Sequence, residues 1–477
     1  MPLPVITIAQ MREWENATWA TGRTEDAVMR QAGQAVANAA RRLTQPGESI
    51  LVLAGKGHNG DDARFAAEYL PDRKISFITV RDPVSSQSDV AAQLAARPAL
   101  LIDGLFGIGL DRQLGADWIK LIQHINAADL PALAVDVPSG LNADTGGPCG
   151  DAIHAAHTIT LGTIKQGLLA ATAWPFVGRL EAAPDIGLTP CPFQTELNWT
   201  QPSDFTTFPP RRSVASHKGT HGHVVIIAGS QGYHGAAVLA ARGAQRAQPG
   251  LITLYTQDLA YPPVAAQLQS VMVQPWILDA GFTPPPTCTA LVLGPGLAAP
   301  KLPESIIATA QRLWLDSPLP VIADAAALAW LPERSYRLDA IRCITPHPGE
   351  AAQLLRIPTD EVQANRSAAV RELSQRYGGC WVVLKGHQTI VGRATGEVFV
   401  NSSGNPHLAQ GGSGDVLAGY LGGLLAQAAL QSETGRTIRY GVWQHGAAAD
   451  GLCQQRRNWT VEDLLDVLGN TSALNNR

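Results

Sequence analysis

The feature that most constrains the fold is a repeated pattern of apolar strand, glycine-rich turn and apolar helix. Ser49–Ala54 is a short apolar run that leads into a turn with three glycines, and a helical pattern then continues through Leu70. The pattern recurs where the apolar residues 224–228 lead into a second glycine-rich turn and an alanine-rich helix. Parallel strands need crossover connections, so we predict an α/β fold built on parallel sheets.

Length and charge limit the class of protein. The 477 residues predict two or three domains, and the proline-rich residues 183–212 are typical of a linker, so we predict domains of residues 1–205 and 206–477. A formal net charge of -4 gives no reason to expect a nucleic-acid or membrane partner. No apolar run reaches the roughly 18 residues of a membrane span, and the six cysteines are scattered. We therefore predict a soluble, cytoplasmic protein.

The clearest signal for function is the glycine loop from Gly411 to Gly414, which precedes an apolar helical pattern. Glycines let the backbone approach a ligand closely, and the following helix points its positive dipole end at the loop. This predicts an anion site, with Ser413 as the N-cap and Asp415 in the first helical turn. The alternative for such a stretch is a tight turn in which Asp415 only complements the helix dipole.

The wider stretch GNPHLAQGGSGDVLAG, residues 404–419, resembles the signature of the ribokinase-like ADP/ATP-dependent NAD(P)H-hydrate dehydratases. SHKGTHG, LVLGPGL, VIADAAAL, TPHPGE and VVLKGHQT follow the order of that family. The resemblance implies that Asp415 is the base acting on the substrate hydroxyl. It also implies contacts to the hydrated dinucleotide from Ala236, Gly296, His347 and Asp415. The adenine nucleotide would be held by Lys385, Gly386, His387, Gln388, Thr389 and Gly414.

The first glycine turn combines a dinucleotide-like spacing with carboxylates. GKGHNG matches GxGxxG after a strand, but Asp61 and Asp62 follow at the helix start, where they would repel a pyrophosphate. A cation or a neutral hydroxyl-bearing group suits this loop better. Further along, Asp136 stands at a strand end before a proline turn that presents Ser139, the sheet edge at which such folds bind ligands. The alternative role of Asp136 is to cap that turn.

Four stretches, GKGHNGDD, IDGLFGIGL, AVDVPSGLNADTG and ITLGTIKQGL, together resemble the Rossmann-like NAD(P)H-hydrate epimerases. The resemblance implies that Asn59, Asp103 and Ser139 are potassium ligands, and their amide, carboxylate and hydroxyl oxygens suit a hard cation. It implies that Asp136 contacts the hydrated ring as a general base or acid. The dinucleotide would be lined by His58, Asn59, Gly60, Asp61, Asp62, Gly107, Ile108, Gly109, Leu110, Asp111, Arg112 and Gln113.

The two resemblances imply an N-terminal Rossmann-like three-layer domain followed by a C-terminal ribokinase-like α/β domain. The implied function is repair of damaged nicotinamide cofactors. The first domain would epimerise the R and S hydrates of NAD(P)H, and the second would dehydrate the S form with ADP or ATP. K⁺ and Mg²⁺ are the expected cofactors. The expected partners are NAD(P)H hydrates, an adenine nucleotide and, in a homo-oligomer, further copies of the chain.

Two alternatives stay open. The first loop departs from the family's usual GNNGGDG, because His58 replaces an asparagine while Asp61 and Ala63 replace glycines. The first domain could therefore be a non-catalytic dinucleotide-binding or oligomerisation module. A small-molecule kinase on the ribokinase-like fold would use the same phosphate loop and the same Asp415, and the epimerase-like first half favours the repair enzyme over it.

Overall fold

In the computed structural model, residues 2–277, 281–334 and 337–471 are described. The chain divides into two compact units, the first of Leu3–Thr195 and the second beginning at Glu196. Each contains a mixed α/β arrangement with parallel strands, which confirms the predicted fold class. Within the described ranges, no helix is both long and apolar enough to cross a membrane.

The first unit is built on a parallel sheet with the strand order β3-β2-β4-β5-β6-β7. The side chains of β2 from Ile50 to Ala54 are fully buried, as expected for a parallel strand covered on both faces. The strands of this sheet are β2 (Ser49–Ala54), β3 (Lys74–Thr79), β4 (Leu100–Gly104), β5 (Ala132–Val135), β6 (His157–Leu161) and β7 (Arg179–Ala183). A short strand, β1 (Leu3–Pro4), is not part of it. The helices are α1 (Ile8–Trp19), α2 (Glu25–Leu43), α3 (His58–Glu68), α4 (Pro83–Ala95), α5 (Ala116–Ala127) and α6 (Trp174–Val177).

The sequence pattern predicts one helical stretch across residues 11–43, and this is wrong in detail. The structure has two helices, α1 and α2, separated by Gly22 with φ +87°. That left-handed conformation ends a helix and suits glycine. The Thr24 side chain then accepts a hydrogen bond from the Ala27 N–H and so caps the start of α2.

The second unit has a larger sheet, in which the strand order runs β8-β17-β16-β15-β14-β13-β12-β9-β10-β11. Neighbouring strands are parallel except around β16, which is antiparallel to both β15 and β17. The strands are β8 (Leu197–Trp199), β9 (His223–Ile227), β10 (Leu251–Gln257), β11 (Met272–Trp276), β12 (Ala290–Leu293), β13 (Val321–Ala323), β14 (Arg342–Ile344), β15 (Trp381–Leu384), β16 (Ile390–Gly392) and β17 (Val398–Val400).

The helices of the second unit are α7 (His234–Ala247), α8 (Tyr261–Ala265), α9 (Glu304–Asp316), α10 (Pro348–Leu355), α11 (Thr359–Ala364), α12 (Arg366–Arg376), α13 (Ser413–Leu425), α14 (Ala428–Gln431), α15 (Thr434–Gln455) and α16 (Val461–Val467). Part of the proline-rich stretch expected to be a linker forms β8, which pairs in parallel with β17. β8 thus belongs to the unit that begins at Glu196.

Close packing of α7 against α13 positions the glycine loop of the second unit. A Cβ on Gly419 would lie 1.8 Å from the Ala240 carbonyl oxygen, and one on Gly243 would lie 2.3 Å from the Val416 carbonyl oxygen. Because only glycine permits this approach of the two backbones, the first turn of α13 is held at a fixed place beside α7.

Candidate active sites

In the first unit, a buried ion pair joins Asp136 to Lys165. Asp136 follows β5 and has φ 63°, an unusual conformation for a residue with a side chain. Its Oδ1 accepts hydrogen bonds from the Lys165 ammonium at 2.6 Å, from the Thr160 hydroxyl at 3.0 Å and from the Leu161 N–H at 2.9 Å. Lys165 is 0 % exposed. Since a buried charge needs a partner, each residue of the pair stabilises the charge of the other.

The sequence pattern assigns no role to Lys165, although it lies within ITLGTIKQGL. The available signal was a lysine placed four residues after a buried strand, with no nearby acid in the sequence to pair with it. Its partner, Asp136, is separated from it by 29 positions. The contact is made across the adjacent strands β5 and β6, so local sequence could not show it.

Two further carboxyl groups are electrostatically coupled to Asp136. Asp62 is 6 % exposed, and its buried Oδ1 has no hydrogen-bond partner within the described residues. Burial, and then the charge of Asp136, raise the pKa of Asp62 well above its ordinary value. The same two causes raise the pKa of Glu15 on α1. The ion pair therefore stands among acids that hold their protons at higher pH than usual, which is a suitable setting for proton transfer.

The polar side chains of the GKGHNGDD loop lie in different environments, some on the surface and one buried. A Cβ on Gly60 would lie 2.3 Å from the Gly55 carbonyl oxygen, so the tight turn requires glycine there. His58 has a 74 % exposed side chain, 3.6 Å from Glu25, and Asp61 pairs with Arg64 on the outside of α3. Asp62 is turned inward instead. Of the two consecutive acids, only Asp62 is buried.

Asn59, Asp103 and Ser139, the expected potassium ligands, converge on one buried position. The Ser139 N–H and hydroxyl donate to the two oxygens of Asp103 at 2.8 and 2.6 Å. The Asn59 amide donates to the Phe106 carbonyl at 2.9 Å, and the Phe106 N–H donates to the Ser139 hydroxyl at 2.8 Å. Burial raises the pKa of Asp103 to about 6. No lysine or arginine pairs with this carboxylate among the described residues, so its oxygens and the nearby carbonyl suit a hard monovalent cation.

The loop from Gly107 to Gln113 reaches this cluster at one end only. A Cβ on Gly107 would lie 3.1 Å from the Asn59 Cβ, and Ile108 packs against the apolar cluster of Ile6, Met11 and Trp14. The Leu110 N–H donates to the Gly107 carbonyl at 3.2 Å and closes a turn in which Gly109 is exposed. The remaining residues of the loop are exposed, namely Asp111, Arg112 and Gln113.

In the second unit, three residues lie just beyond the carboxyl ends of neighbouring parallel strands. Asp324 follows β13, Thr345 follows β14 and Lys385 follows β15. The Lys385 ammonium donates to Asp324 Oδ1 at 2.8 Å, and the Thr345 hydroxyl donates to the same oxygen at 2.7 Å. Glu350 Oε2 is 3.9 Å from the Lys385 ammonium. The predicted position of Lys385 at a strand end is confirmed.

Helix α13 begins close to the Lys385 side chain. Its N-cap is Gly412, with φ +97°, rather than the predicted Ser413. The prediction is wrong because the positive φ requires glycine and the Ser413 hydroxyl lies toward the buried His445 ring, 3.5 Å away. Among the described residues, no side chain caps the first turn of α13. The Ser413 N–H donates to the Gln410 carbonyl at 3.3 Å, and the N–H groups that follow it are available to a ligand. A Cβ on Gly414 would lie 3.2 Å from the Lys385 ammonium.

Asp415 lies in the first turn of α13, as predicted. Burial raises the pKa of Asp415 to about 7, with a further contribution from Asp324 and an opposing one from Lys385. A carboxyl with this pKa is half ionised at neutral pH and can act as a general base there. The alternative of a plain helix-dipole partner does not require that burial, because such aspartates are commonly exposed.

Arg366, a buried arginine to which the sequence pattern assigns no role, fixes the segment from Lys385 to Thr389. The Arg366 guanidinium donates to the carbonyls of Leu384 at 3.0 Å, Lys385 at 3.1 Å and also His387. Gly386 and Gln388 both have positive φ, at 119° and 51°. Arg366 thus fixes a loop in which two residues have positive φ.

The other predicted residues of this unit fall into two places. His347 caps α10, because its Nδ1 accepts from the N–H groups of Gly349 at 3.1 Å and Glu350 at 3.2 Å. It is thereby connected through Glu350 to Lys385. Gly296 has φ 64°, and a Cβ on it would lie 2.8 Å from the Ala236 Cβ. Ala236 and Gly296 are therefore neighbours on the α7 side of the loop.

The fold and these two sites define a class: a two-unit α/β enzyme with a ribokinase-like second half. Residues 224–470 match the family model described as NAD(P)H-hydrate dehydratase. Residues 25–97 and 79–167 match the model described as YjeF-related protein N-terminus. A ribokinase-like superfamily protein from Enterococcus faecalis shares the fold, at 24 % identity and a TM-score of 0.50, over 58 % of this chain and 96 % of that one.

Relatives match over nearly the whole length. The bifunctional NAD(P)H-hydrate repair enzyme of Coxiella burnetii is 33 % identical over 474 residues, which is 94 % of each chain. That of Escherichia coli is 31 % identical over 473 residues, covering 94 % of this chain and 89 % of its own. The chain belongs to the family of bifunctional NAD(P)H-hydrate repair enzymes, which confirms both resemblances.

Proposed function

We propose that the first unit interconverts the R and S hydrates of NAD(P)H and that the second dehydrates the S hydrate with ADP or ATP. The observation that supports this best is the buried pair of Asp324 and Lys385 beside Asp415 at the uncapped start of α13. It combines a cation for phosphate oxygens with a carboxyl whose pKa is about 7. This is the equipment for activating a hydroxyl next to a nucleotide phosphate.

The chemistry of the second unit follows from hydroxide being a poor leaving group. Asp415 takes the proton of the hydrate's hydroxyl, and that oxygen attacks the terminal phosphorus of the nucleotide. The bridging P–O bond breaks and releases AMP from ADP, or ADP from ATP. The phosphate ester then leaves the ring as inorganic phosphate, and loss of a ring C–H proton restores the double bond of NAD(P)H. Lys385, Gly386, His387, Gln388, Thr389 and Gly414 would hold the nucleotide, and Ala236, Gly296, His347 and Asp415 the hydrate.

Mg²⁺ fits this site only in company with the nucleotide. Among the described residues, no three His, Cys, Asp or Glu side chains form a metal-binding group. Mg²⁺ is commonly held by one or two carboxylates together with substrate phosphates and water, and Asp324 and Glu350 flank the lysine proposed for those phosphates. When bound, the ion would neutralise charge on the transferred phosphoryl group.

In the first unit, we assign Asp136 and Lys165 as the pair that moves a proton during opening and reclosing of the hydrate. Lys165 holds Asp136 in place, and burial together with the charge of Asp136 raises the pKa of the Asp62 carboxyl, which favours its role as a proton donor. Asn59, Asp103 and Ser139 would hold K⁺, which positions the loop that ends in Asp62. The two glycine-containing loops, residues 58–62 and 107–113, would contact the dinucleotide. The domain limits at residues 205 and 206, the cytoplasmic location and the homo-oligomer stay predictions.

One experiment tests both activities. A mixture of R and S hydrates is incubated with ADP or ATP, Mg²⁺ and K⁺, and recovery of the reduced-nicotinamide absorbance is followed. We expect full recovery with the wild type, none with Asp415→Asn, and arrest near the S fraction with Asp136→Asn. If the wild type itself stops at the S fraction, the first unit is not an epimerase. If it recovers nothing, the dehydratase assignment is wrong.

Matched controls use exposed aspartates of the same unit. Asp466→Asn serves as the control for Asp415→Asn, because its side chain is 80 % exposed. Asp89→Asn on α4 serves for Asp136→Asn, because Asp89 is also exposed. Both controls should behave as the wild type. Loss of recovery in either would mean that the effect comes from the charge change in general and not from the site.

A further inference from the structure

The second unit also has a pocket of about 580 Å³. It lies at the amino-terminal ends of the strands, whereas Asp324 and Lys385 beside Asp415 lie at the carboxyl ends. Its lining comes from residues at the start of β14 and β15, from the β16–β17 hairpin and from the beginning of α15. Asp324 and Lys385 instead lie beyond the carboxyl ends of β13 and β15. None of the residues proposed for the dehydratase lines this pocket.

The pocket is rich in arginine. Five arginines line it, Arg337, Arg342, Arg393, Arg436 and Arg439, against three carboxylates, Asp339, Glu397 and Glu433, a formal charge of +2. The chain as a whole is acidic, with a formal net charge of -4. This concentration of positive charge is therefore not a reflection of overall composition.

Three of the arginines have structural partners. Arg342 is buried and donates to backbone carbonyls near the end of α9, including that of Leu319 at 2.9 Å. Arg439 pairs with Asp204, and Arg436 pairs with Glu433 at 3.0 Å. These contacts explain why the three residues are present without any ligand.

Arg337 and Arg393 have no such explanation. No residue in the described part of the chain forms an ion pair with either. The Arg393 guanidinium stacks on the Trp381 ring at 4.7 Å, and burial together with the charge of Arg337 lowers the pKa of Arg393. Both cations line the pocket and repel each other, and an anion bound near both would offset that repulsion.

We propose that this pocket binds a small phosphorylated metabolite, with a phosphate group held between Arg337 and Arg393. Planar guanidinium groups match phosphate oxygens well. Helix α15, 22 residues long, begins in the same pocket at Thr434, and no side chain in the described part of the chain caps it, so its first N–H groups add to the donors. The pocket, at about 580 Å³, has room for an organic part beside the phosphate group.

Calorimetric titration of the full-length protein with inorganic pyrophosphate tests the proposal. The double variant Arg337→Gln/Arg393→Gln should lose one binding site per chain, or bind there at least tenfold more weakly. Arg457→Gln, which removes one exposed arginine on a loop after α15, should bind as the wild type does. The double variant should unfold at nearly the wild-type temperature, because neither arginine is fully buried.

The proposed catalytic site also has a phosphate-binding lysine, so the titration is repeated in the Lys385→Met background. The Lys385→Met protein should bind pyrophosphate at one site per chain. Adding Arg337→Gln and Arg393→Gln should abolish that binding. Equal stoichiometry and affinity in the double variant and Arg457→Gln would overturn the proposal. So would the absence of any pyrophosphate binding in a folded Lys385→Met protein. Neither outcome depends on whether the chain is a dehydratase.

Discussion

Asp324 and Lys385 act on the protonation of Asp415 in opposite directions. The charge of Asp324 raises the pKa of Asp415 and that of Lys385 lowers it, with burial as the largest cause of a pKa of about 7. Asp324→Asn removes a raising contribution, so the pKa of Asp415 falls. A base with a lower pKa is ionised at lower pH, so the acidic limb of dehydratase kcat/KM should move down by about one pH unit.

The measurement is the pH profile of kcat/KM with resolved S hydrate and saturating nucleotide. The absolute rate should also drop, because Lys385 loses the partner that holds it at 2.8 Å. Asp466→Asn is the control, since it removes an exposed carboxylate and should leave the limb in place. An acidic limb that stays fixed or rises in Asp324→Asn would show that Asp415 is not the titrating base.

We expect the ion pair of Asp136 and Lys165 to contribute to the free energy of unfolding. Lys165→Met leaves Asp136 buried without its cation, and losing one partner of a buried pair costs about 3–5 kcal/mol. Adding Asp136→Asn removes the unpaired charge and should restore part of that loss. Denaturant unfolding of the two single variants and the double variant gives the coupling between them. Additive effects would contradict a direct ion pair.

The residues that sequence reasoning found share a local signal. Asp136 and Lys385 each follow an apolar strand, and Asp415 follows a glycine loop, so their position at the ligand-binding edge could be predicted. Lys165 and Arg366 were missed because their function depends on contacts across the fold. Arg366 reaches carbonyls 18 and 19 positions away, and nothing in its own neighbourhood marks it.

At the scale of elements, the glycine interface between α7 and α13 determines where the anion loop lies. Gly419→Ala would place a Cβ 1.8 Å from the Ala240 carbonyl oxygen, which forces the helices apart. We expect a loss of about 2–4 kcal/mol in unfolding free energy and a large fall in dehydratase kcat/KM, because Asp415 moves with its helix. Thermal unfolding and the recovery assay measure the two effects.

Gly451→Ala is the matched control for that substitution. Gly451 lies within α15, and a Cβ there would meet no atom within 4 Å. Alanine has the higher helix propensity, so this variant should gain up to about 1 kcal/mol and keep its activity. If both glycine variants behave alike, the close approach of α7 and α13 is not what holds the loop.

The elements themselves were largely predictable, because buried parallel strands appear in the sequence as short apolar runs. The apolar run Ser49–Ala54 predicts a strand with the same limits as β2. The errors occur where one residue's backbone conformation decides the outcome. The break before α2 depends on the positive φ of Gly22, and the start of α13 depends on that of Gly412. Hydrophobic periodicity carries no information about such single dihedral angles.

At the scale of the whole molecule, each proposed site draws its residues from one unit. Asp136 and Lys165 lie within Leu3–Thr195, whereas Asp324, Lys385 and Asp415 belong to the unit that begins at Glu196. Neither set of contacts needs a residue of the other unit. A chain inactivated in one unit should therefore keep the other activity, and two complementary variants should together perform the full repair.

Mixing equal amounts of Asp136→Asn and Asp415→Asn tests this directly on the R and S mixture. Hydrate epimerised by one variant is released and dehydrated by the other, so recovery should be complete. Its rate should be about half that of the wild type at the same total concentration, because each kind of site is present at half the concentration. Asp136→Asn alone should stop near the S fraction, and a mixture that also stops there would mean that the two reactions require one intact chain.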